Sequence, residues 1–193
     1  LNNDGLLDVM IPFGAHVMDP LERTYFESAL GLFNPDSQSN MVFAGSNSGF
    51  QDVSTEWNLD DSAMSRVLLP ADINGDGWLD LIGRSLDEPA SLHMARCGDD
   101  SWLKLDLRDH APNTRGLGVR VEASSAGGAF SGPQTLTRSV TSGSTGIASS
   151  GPHTIHFGLG DSRYVDLSIH WLDGTNTIIE NVRPQQTLLI TRL

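Results

Sequence analysis

The 193-residue sequence is poor in basic side chains: 12 Lys and Arg stand against 24 Asp and Glu, a formal net charge of −12. A nucleic-acid surface needs clustered Lys and Arg to displace counterions, so this composition argues against nucleic acid as a partner. A single cysteine, Cys97, cannot form an internal disulfide and does not vote for an oxidising compartment. No motif surrounds it, and a lone cysteine reads as a small core residue before it reads as a nucleophile. No apolar run approaches the roughly 20 residues needed to cross a bilayer, so no membrane span is expected. The chain does not open on the basic-then-apolar pattern of a secretory signal. There is no Gly-x-Ser-x-Gly elbow, so the Ser-rich stretch from Ser142 to Ser150 reads as a β-connection rather than a nucleophile site.

The acidity is concentrated. Residues 1–97 hold 15 Asp and Glu against four Arg, a net of −11, whereas residues 98–193 hold nine against eight, a net of −1. The shift predicts a boundary near Cys97–Gly98 and two domains, 1–97 and 98–193. A cation suits the acidic half as a partner, and Ca²⁺ is the simplest one. The competing reading is a solvated acidic surface that keeps the protein soluble.

One unit occurs twice. Residues 72–80 read Asp-Ile-Asn-Gly-Asp-Gly-Trp-Leu-Asp and run into the apolar Leu81 and Ile82. Residues 2–8 read Asn-Asn-Asp-Gly-Leu-Leu-Asp and run into Val9, Met10 and Ile11. Aligning Asp4 with Asp76 also matches Asn2 to Asn74, Gly5 to Gly77 and Asp8 to Asp80. The first copy lacks the opening Asp, and a chain that opens inside such a loop is expected to be a fragment of a longer polypeptide. Between the loops, Met41–Ala44, Phe50–Val53 and Val67–Leu69 read as short strands. Asp19-Pro20-Leu21-Glu22, with Tyr25, Ala29 and Leu32 at helical spacing, predicts a short surface helix over about 20–30.

From Trp102 onward the pattern is β throughout. Trp102–Leu107, Val119–Glu122, Thr154–Phe157, Val165–Trp171 and Thr187–Thr191 are predicted strands. Gly127-Gly128, Gly158–Gly160 and Asp173-Gly174 are predicted turns. Short strands at this spacing predict a sandwich or a barrel.

The spacing Asp72-x-Asn74-x-Asp76-Gly77-Trp78-x-Asp80 carries the chemistry. It offers side-chain oxygens from Asp72, Asn74, Asp76 and Asp80 and the carbonyl of Trp78. Ca²⁺ is a hard cation that takes six to eight oxygens at about 2.3–2.6 Å. Gly77 stands where the loop turns sharply and is expected at positive φ. A twelve-residue EF-hand loop ends on Glu, whereas the twelfth residue here is Gly83 and a strand follows, so the likeness is one of ligand chemistry. The first copy offers Asn2, Asp4, the Leu6 carbonyl and Asp8, a weaker set without its first carboxylate. The alternative for both loops is an Asx-turn closed by hydrogen bonds, without metal.

The loop, together with Gly49-Phe50-x-Asp52-Val53 ahead of it, resembles the calcium-binding FG-GAP or VCBS blade repeat. Trp102–Leu107, Asn113–Val121, Gly143–Gly146, His156–Gly160, Val165–Trp171 and Asp173-Gly174 resemble, in order, the ASPIC/UnbV module. That module follows such repeats in the cartilage acidic protein family. The family commonly has Trp-Pro-x-Gly where this chain has Trp171-Leu-Asp-Gly174. The resemblance implies an all-β protein: partial β-propeller blades over 1–97, then a β-sandwich or barrel-like module. It also implies a secreted or cell-surface chain (periplasmic if bacterial), with calcium stabilising the blades and an extracellular protein or glycan as partner. It supplies no catalytic residues, so the expected function is a non-catalytic binding or adhesion module. The alternative is the substrate-targeting tail of a larger secreted enzyme.

Sharper readings weigh less. His153 and His156 would not share a strand face, and His156 and His170 would meet only across strands. Asp60-Asp61 on a loop is expected to face water. Of Trp57, Trp78, Trp102 and Trp171, the last two are expected in the core. Trp78 is the one expected to be exposed enough to stack on a sugar.

Overall fold

The computed structural model describes residues 1–13, 39–62, 65–86, 88–96, 98–125, 134–143 and 150–192. The helix predicted over 20–30, the Gly127-Gly128 turn, most of Ser142–Ser150, and Cys97 lie outside these residues. Among the described residues the chain is all-β, with thirteen strands: β1 (Val9–Ile11), β2 (Met41–Ser46), β3 (Gly49–Asp52), β4 (Ser65–Ala71), β5 (Asp80–Ser85), β6 (Ser91–His93), β7 (Ser101–Arg108), β8 (Arg120–Ser125), β9 (Gln134–Ser139), β10 (Ile155–Gly160), β11 (Val165–His170), β12 (Asn176–Val182) and β13 (Gln186–Thr191).

The strands form two compact units that interleave in sequence. One contains Leu1–Leu6, Pro70–Asp80 and Met94–Leu193; the other contains Leu7–Leu69 and Leu81–His93. Both candidate ligand loops, up to Leu6 and Asp80, therefore belong to the unit that holds the C-terminal strands.

The C-terminal unit is built from two sheets, ordered β10-β7-β13 and β12-β11-β8-β9. Alternation in β7 explains why they stack. Leu103, Leu105 and Leu107 are buried, while Trp102, Lys104 and Asp106 take the opposite face. β10 does the same with Ile155, Phe157 and Leu159 inward and His156 and Gly158 outward. Val121 and Ala123 of β8 and Val165, Leu167 and Ile169 of β11 complete one shared core from the other sheet. Two open sheets over one core make a sandwich. Among the described residues no sheet closes on itself, so the barrel-like alternative is set aside. The first sheet is mixed: β10 runs antiparallel to β7, and β13 runs parallel to it.

The turn predicted at Gly158–Gly160 is instead the end of β10. Glycine is needed there for space rather than for bending. A Cβ on Gly158 would come within 2.7 Å of the Cα of Asn3, and Gly160 N–H donates to the Asn3 carbonyl at 2.8 Å.

The second unit holds an antiparallel sheet ordered β1-β2-β3, with Val9 opposite Phe43 and Phe43 opposite Asp52. A fourth sheet is ordered β4-β5-β6, with Leu81 opposite His93. In the sheet β1-β2-β3 and the turn after it, Val42, Val53 and Leu59 are buried.

Candidate metal centre

The loop of residues 72–80 is shaped by side chains bonding to their own backbone. Asp72 accepts from the N–H of Gly75 at 2.7 Å and of Gly77 at 2.8 Å. Asn74 accepts from Asp76 N–H at 3.0 Å and donates to its carboxylate at 2.7 Å, and Asp76 accepts from Trp78 N–H at 2.8 Å. These bonds satisfy backbone donors that a tight curl leaves without a ladder partner. The curl needs φ of 79° at Gly75 and 88° at Gly77, the left-handed region that glycine enters freely. Positive φ at Gly77 is as the spacing predicted.

The first copy repeats this scaffold. Asp4 N–H donates to Asn2 Oδ1 at 3.3 Å, Asn2 Nδ2 donates to Asp4 at 2.8 Å, and Leu6 N–H donates to Asp4 at 2.8 Å. Gly5 has φ of 87°, and Asn3 takes φ of 62° where the second copy has Gly75. The ninth position behaves alike as well. Asp80 is fully buried and accepts from Ile73 N–H at 3.0 Å and Ala95 N–H at 2.8 Å. Asp8 accepts from Gly45 N–H at 3.0 Å. Pairing of Leu81 with His93 and of Val9 with Phe43 puts each donor one residue beyond the position opposite its Asp.

Both loops rest on the outward face of sheet β10-β7-β13. The Trp102 indole covers Gly77 so closely that a Cβ there would overlap the ring. Lys104, paired with His156 across β7 and β10, puts its ammonium on the Asp72 carboxylate and 5.2 Å from the Trp102 ring centroid. The Gly77 carbonyl accepts from His156 Nε2 at 2.9 Å and from Asn3 Nδ2 at 3.1 Å. The sequence reading missed Trp102, Lys104, His156 and Asn3 as loop partners. The available signal was the kind of residue on the outward positions: an indole, an ammonium, an imidazole and a glycine alternating with core leucines and phenylalanine.

The donor set of Asp72, Asn74, Asp76, the Trp78 carbonyl and Asp80 is entirely oxygen, which fits a hard divalent cation. Its three carboxylates carry three formal negative charges, one of them matched by the Lys104 ammonium on Asp72. Among the described residues no three His, Cys, Asp or Glu side chains are gathered as a metal-holding group. The loop as it stands is ordered by hydrogen bonds. Ca²⁺ would supply charge neutralisation at the remaining lone pairs of these oxygens. Burial pushes the Asp72 carboxyl up, but Lys104 and the N–H groups of Gly77 and Gly75 outweigh it and hold it below the ordinary aspartate value. Near the first copy, burial and then the charges of Asp4, Asp161 and Asp99 push Asp100 up.

Burial lowers the His156 pKa from its ordinary 6.5, against the opposing hydrogen bond to Gly77. The unfolded chain therefore binds a proton more readily than the native state. Stability contributed by neutral His156 is complete above the unfolded value and is lost as pH falls below it. Urea unfolding should show lower stability at pH 5 than at pH 7.5. His156→Gln should remove most of that pH dependence; an unchanged slope would place its source elsewhere.

Other residues singled out in the sequence do not gather into a site. Trp78 is buried at 8% exposure, with its ring against Gly98, so it offers no sugar-stacking surface. Trp171 is core, as expected, but Trp102 lies on the outer face against the loop. His153 precedes β10 and bonds to the Thr141 carbonyl. His156 and His170 sit in different sheets, and His170 bonds to Asn176. Asp60 accepts from the Thr55 hydroxyl at 2.9 Å, and Asp61 lies 3.2 Å from His93. A pocket of about 530 Å³ in the second unit, lined by Asn40, Asp52, Ser54, Glu56 and Asp60 among others, includes none of the predicted ligands. Among the described residues no helix is long and apolar enough to cross a membrane.

Residues 109–192 match the family described as ASPIC and UnbV, so an ASPIC/UnbV domain occupies this part of the chain. The match begins just after β7, yet β7 is the central strand of its sheet and contributes three core leucines. No curated protein matches the chain.

Proposed function

We propose that this chain is a calcium-stabilised, non-catalytic binding module of a secreted or cell-surface protein. In this reading the loop-and-strand units are FG-GAP or VCBS blades of a propeller that precede the ASPIC/UnbV domain, as in the cartilage acidic protein family. Ca²⁺ is held by Asp72, Asn74, Asp76, the Trp78 carbonyl and Asp80, and more weakly by Asn2, Asp4, the Leu6 carbonyl and Asp8. The metal fixes the loops, and the fixed surface engages an extracellular protein or glycan.

The observation that carries the reading is the identity of the two scaffolds. Loops 72 residues apart share the same Asn–Asp bonds, the same backbone conformation and the same amide-bonded Asp at the ninth position. Asx-turns alone need no Asp at every one of these positions. Carboxylate crowding around Asp100 points the same way, because a nearby cation relieves it.

Thermal and urea unfolding in millimolar Ca²⁺ against EDTA tests this. Ligand at 100 times its Kd adds about 2.7 kcal/mol. Asp76→Ala should lose that increment while keeping the fold in EDTA. No difference between Ca²⁺ and EDTA would leave the loops as hydrogen-bonded turns and sink the calcium reading.

A further inference from the structure

The Asp72 side chain is only 4% exposed, and its partner there is Lys104, whose side chain is 15% exposed. Lys104 is the only lysine in the sequence; the other 11 basic residues are arginine. It reaches the loop from β7, on the face opposite the core leucines, beside the Trp102 indole that packs on Gly77. An ammonium is a compact point charge with three donors, and it can leave a carboxylate more readily than a bidentate guanidinium. Asp72 also takes two backbone N–H bonds. A cation entering the loop through Asp72 therefore meets a site already held by a positive charge.

We propose that Lys104 is a built-in competitor for the divalent cation of loop 72–80. In the metal-free protein its ammonium neutralises Asp72 and keeps the curl intact. Ca²⁺ binding releases it from the carboxylate toward solvent. The C-terminal sheet thus senses occupancy of the loop through the strand that carries Trp102 and Lys104. This inference rests on the calcium reading above, because it assigns a regulator to that same site.

Removing the competitor strengthens metal binding. If the ammonium leaves Asp72 about one-tenth of the time, the apparent Kd of the wild type is about tenfold above the intrinsic value. Lys104→Met, which keeps the apolar stem, should therefore bind Ca²⁺ about tenfold more tightly by calorimetric titration. It should also gain more from Ca²⁺ in thermal unfolding, since its buried Asp72 has no counter-ion in EDTA. A second measurement needs no variant. With one lysine in the chain, acetylation of the ε-amine at fixed pH reports Lys104 alone, and Ca²⁺ should speed it about tenfold by the same release.

The outcomes separate the two readings. Ca²⁺ binding to wild type and Lys104→Met with equal affinity, or a labelling rate that Ca²⁺ leaves unchanged or slows, overturns the competitor alone. Binding by the variant and not by the wild type supports it in its strongest form. No Ca²⁺ binding by either overturns both. If Lys104→Met folds in neither condition, the wild-type labelling decides.

Discussion

Gly77→Ala should cost about 4 kcal/mol in urea unfolding in EDTA, whereas Gly75→Ala, two residues away, should cost about 1 kcal/mol. Both glycines hold left-handed backbone, with φ of 88° and 79°. An added Cβ strains each by about 1–2 kcal/mol. Their surroundings differ. Nothing lies within 4 Å of a Cβ built on Gly75, but one on Gly77 would overlap the Trp102 ring.

The indole cannot yield cheaply, because the strand behind it is backed on its other face by the fully buried Leu103 and Leu105. Displacing it also disturbs the Lys104 ammonium 5.2 Å from its ring and the two bonds to the Gly77 carbonyl. Overpacking of this kind adds about 1–3 kcal/mol. The paired variants therefore read how firmly the loop is clamped on the sheet, apart from its curl. Equal losses at the two positions would mean that the indole swings away freely and the clamp is loose.

That clamp marks the limit of what the sequence discloses. Interior strands declared themselves: the leucines of β7 and the Val-x-Leu-x-Ile of β11 alternate because one face is buried and the other is not. The strands that went unread, β6, β9 and β12, are all edges of their sheets. Edge strands bury less, and their pattern fades. β12 carries Ile178 outward at 67% exposure next to an inward Ile179, and β9 has only Leu136 packed on the core. The glycines of β10 looked like a turn because the reason for them, the backbone of Asn3, lies more than 150 residues away.

Within the candidate site, spacing disclosed the positive φ at Gly77, a local property. The Lys104–Asp72 pair and the His156 bond to Gly77 join residues 32 and 79 positions apart, and local periodicity cannot register them.

Asp80→Asn should cost about 3 kcal/mol in EDTA, though the two side chains are nearly isosteric. Each Asp80 oxygen accepts a backbone N–H, one from Ile73 and one from Ala95, at full burial. An amide has one acceptor, so its NH₂ must face one of those donors. That leaves a buried N–H without a partner and takes the charge from the other bond, each worth about 1–3 kcal/mol. Asp80→Ala removes both acceptors and should cost about 5 kcal/mol.

Asp76→Asn keeps an acceptor for Trp78 N–H in a half-buried position and should cost about 1 kcal/mol without metal. The contrast separates two jobs that the loop pattern combines. The ninth carboxylate ties the loop to the chain on both sides through Ile73 and Ala95, while in the calcium reading proposed above the fifth would bear on the cation. Asp80→Asn should therefore lower the EDTA baseline, and Asp76→Asn should shrink the Ca²⁺ increment above it. A neutral Asp80→Asn in EDTA would overturn the first assignment. The repeated amide-bonded Asp at positions 8 and 80 would then be kept for the metal alone.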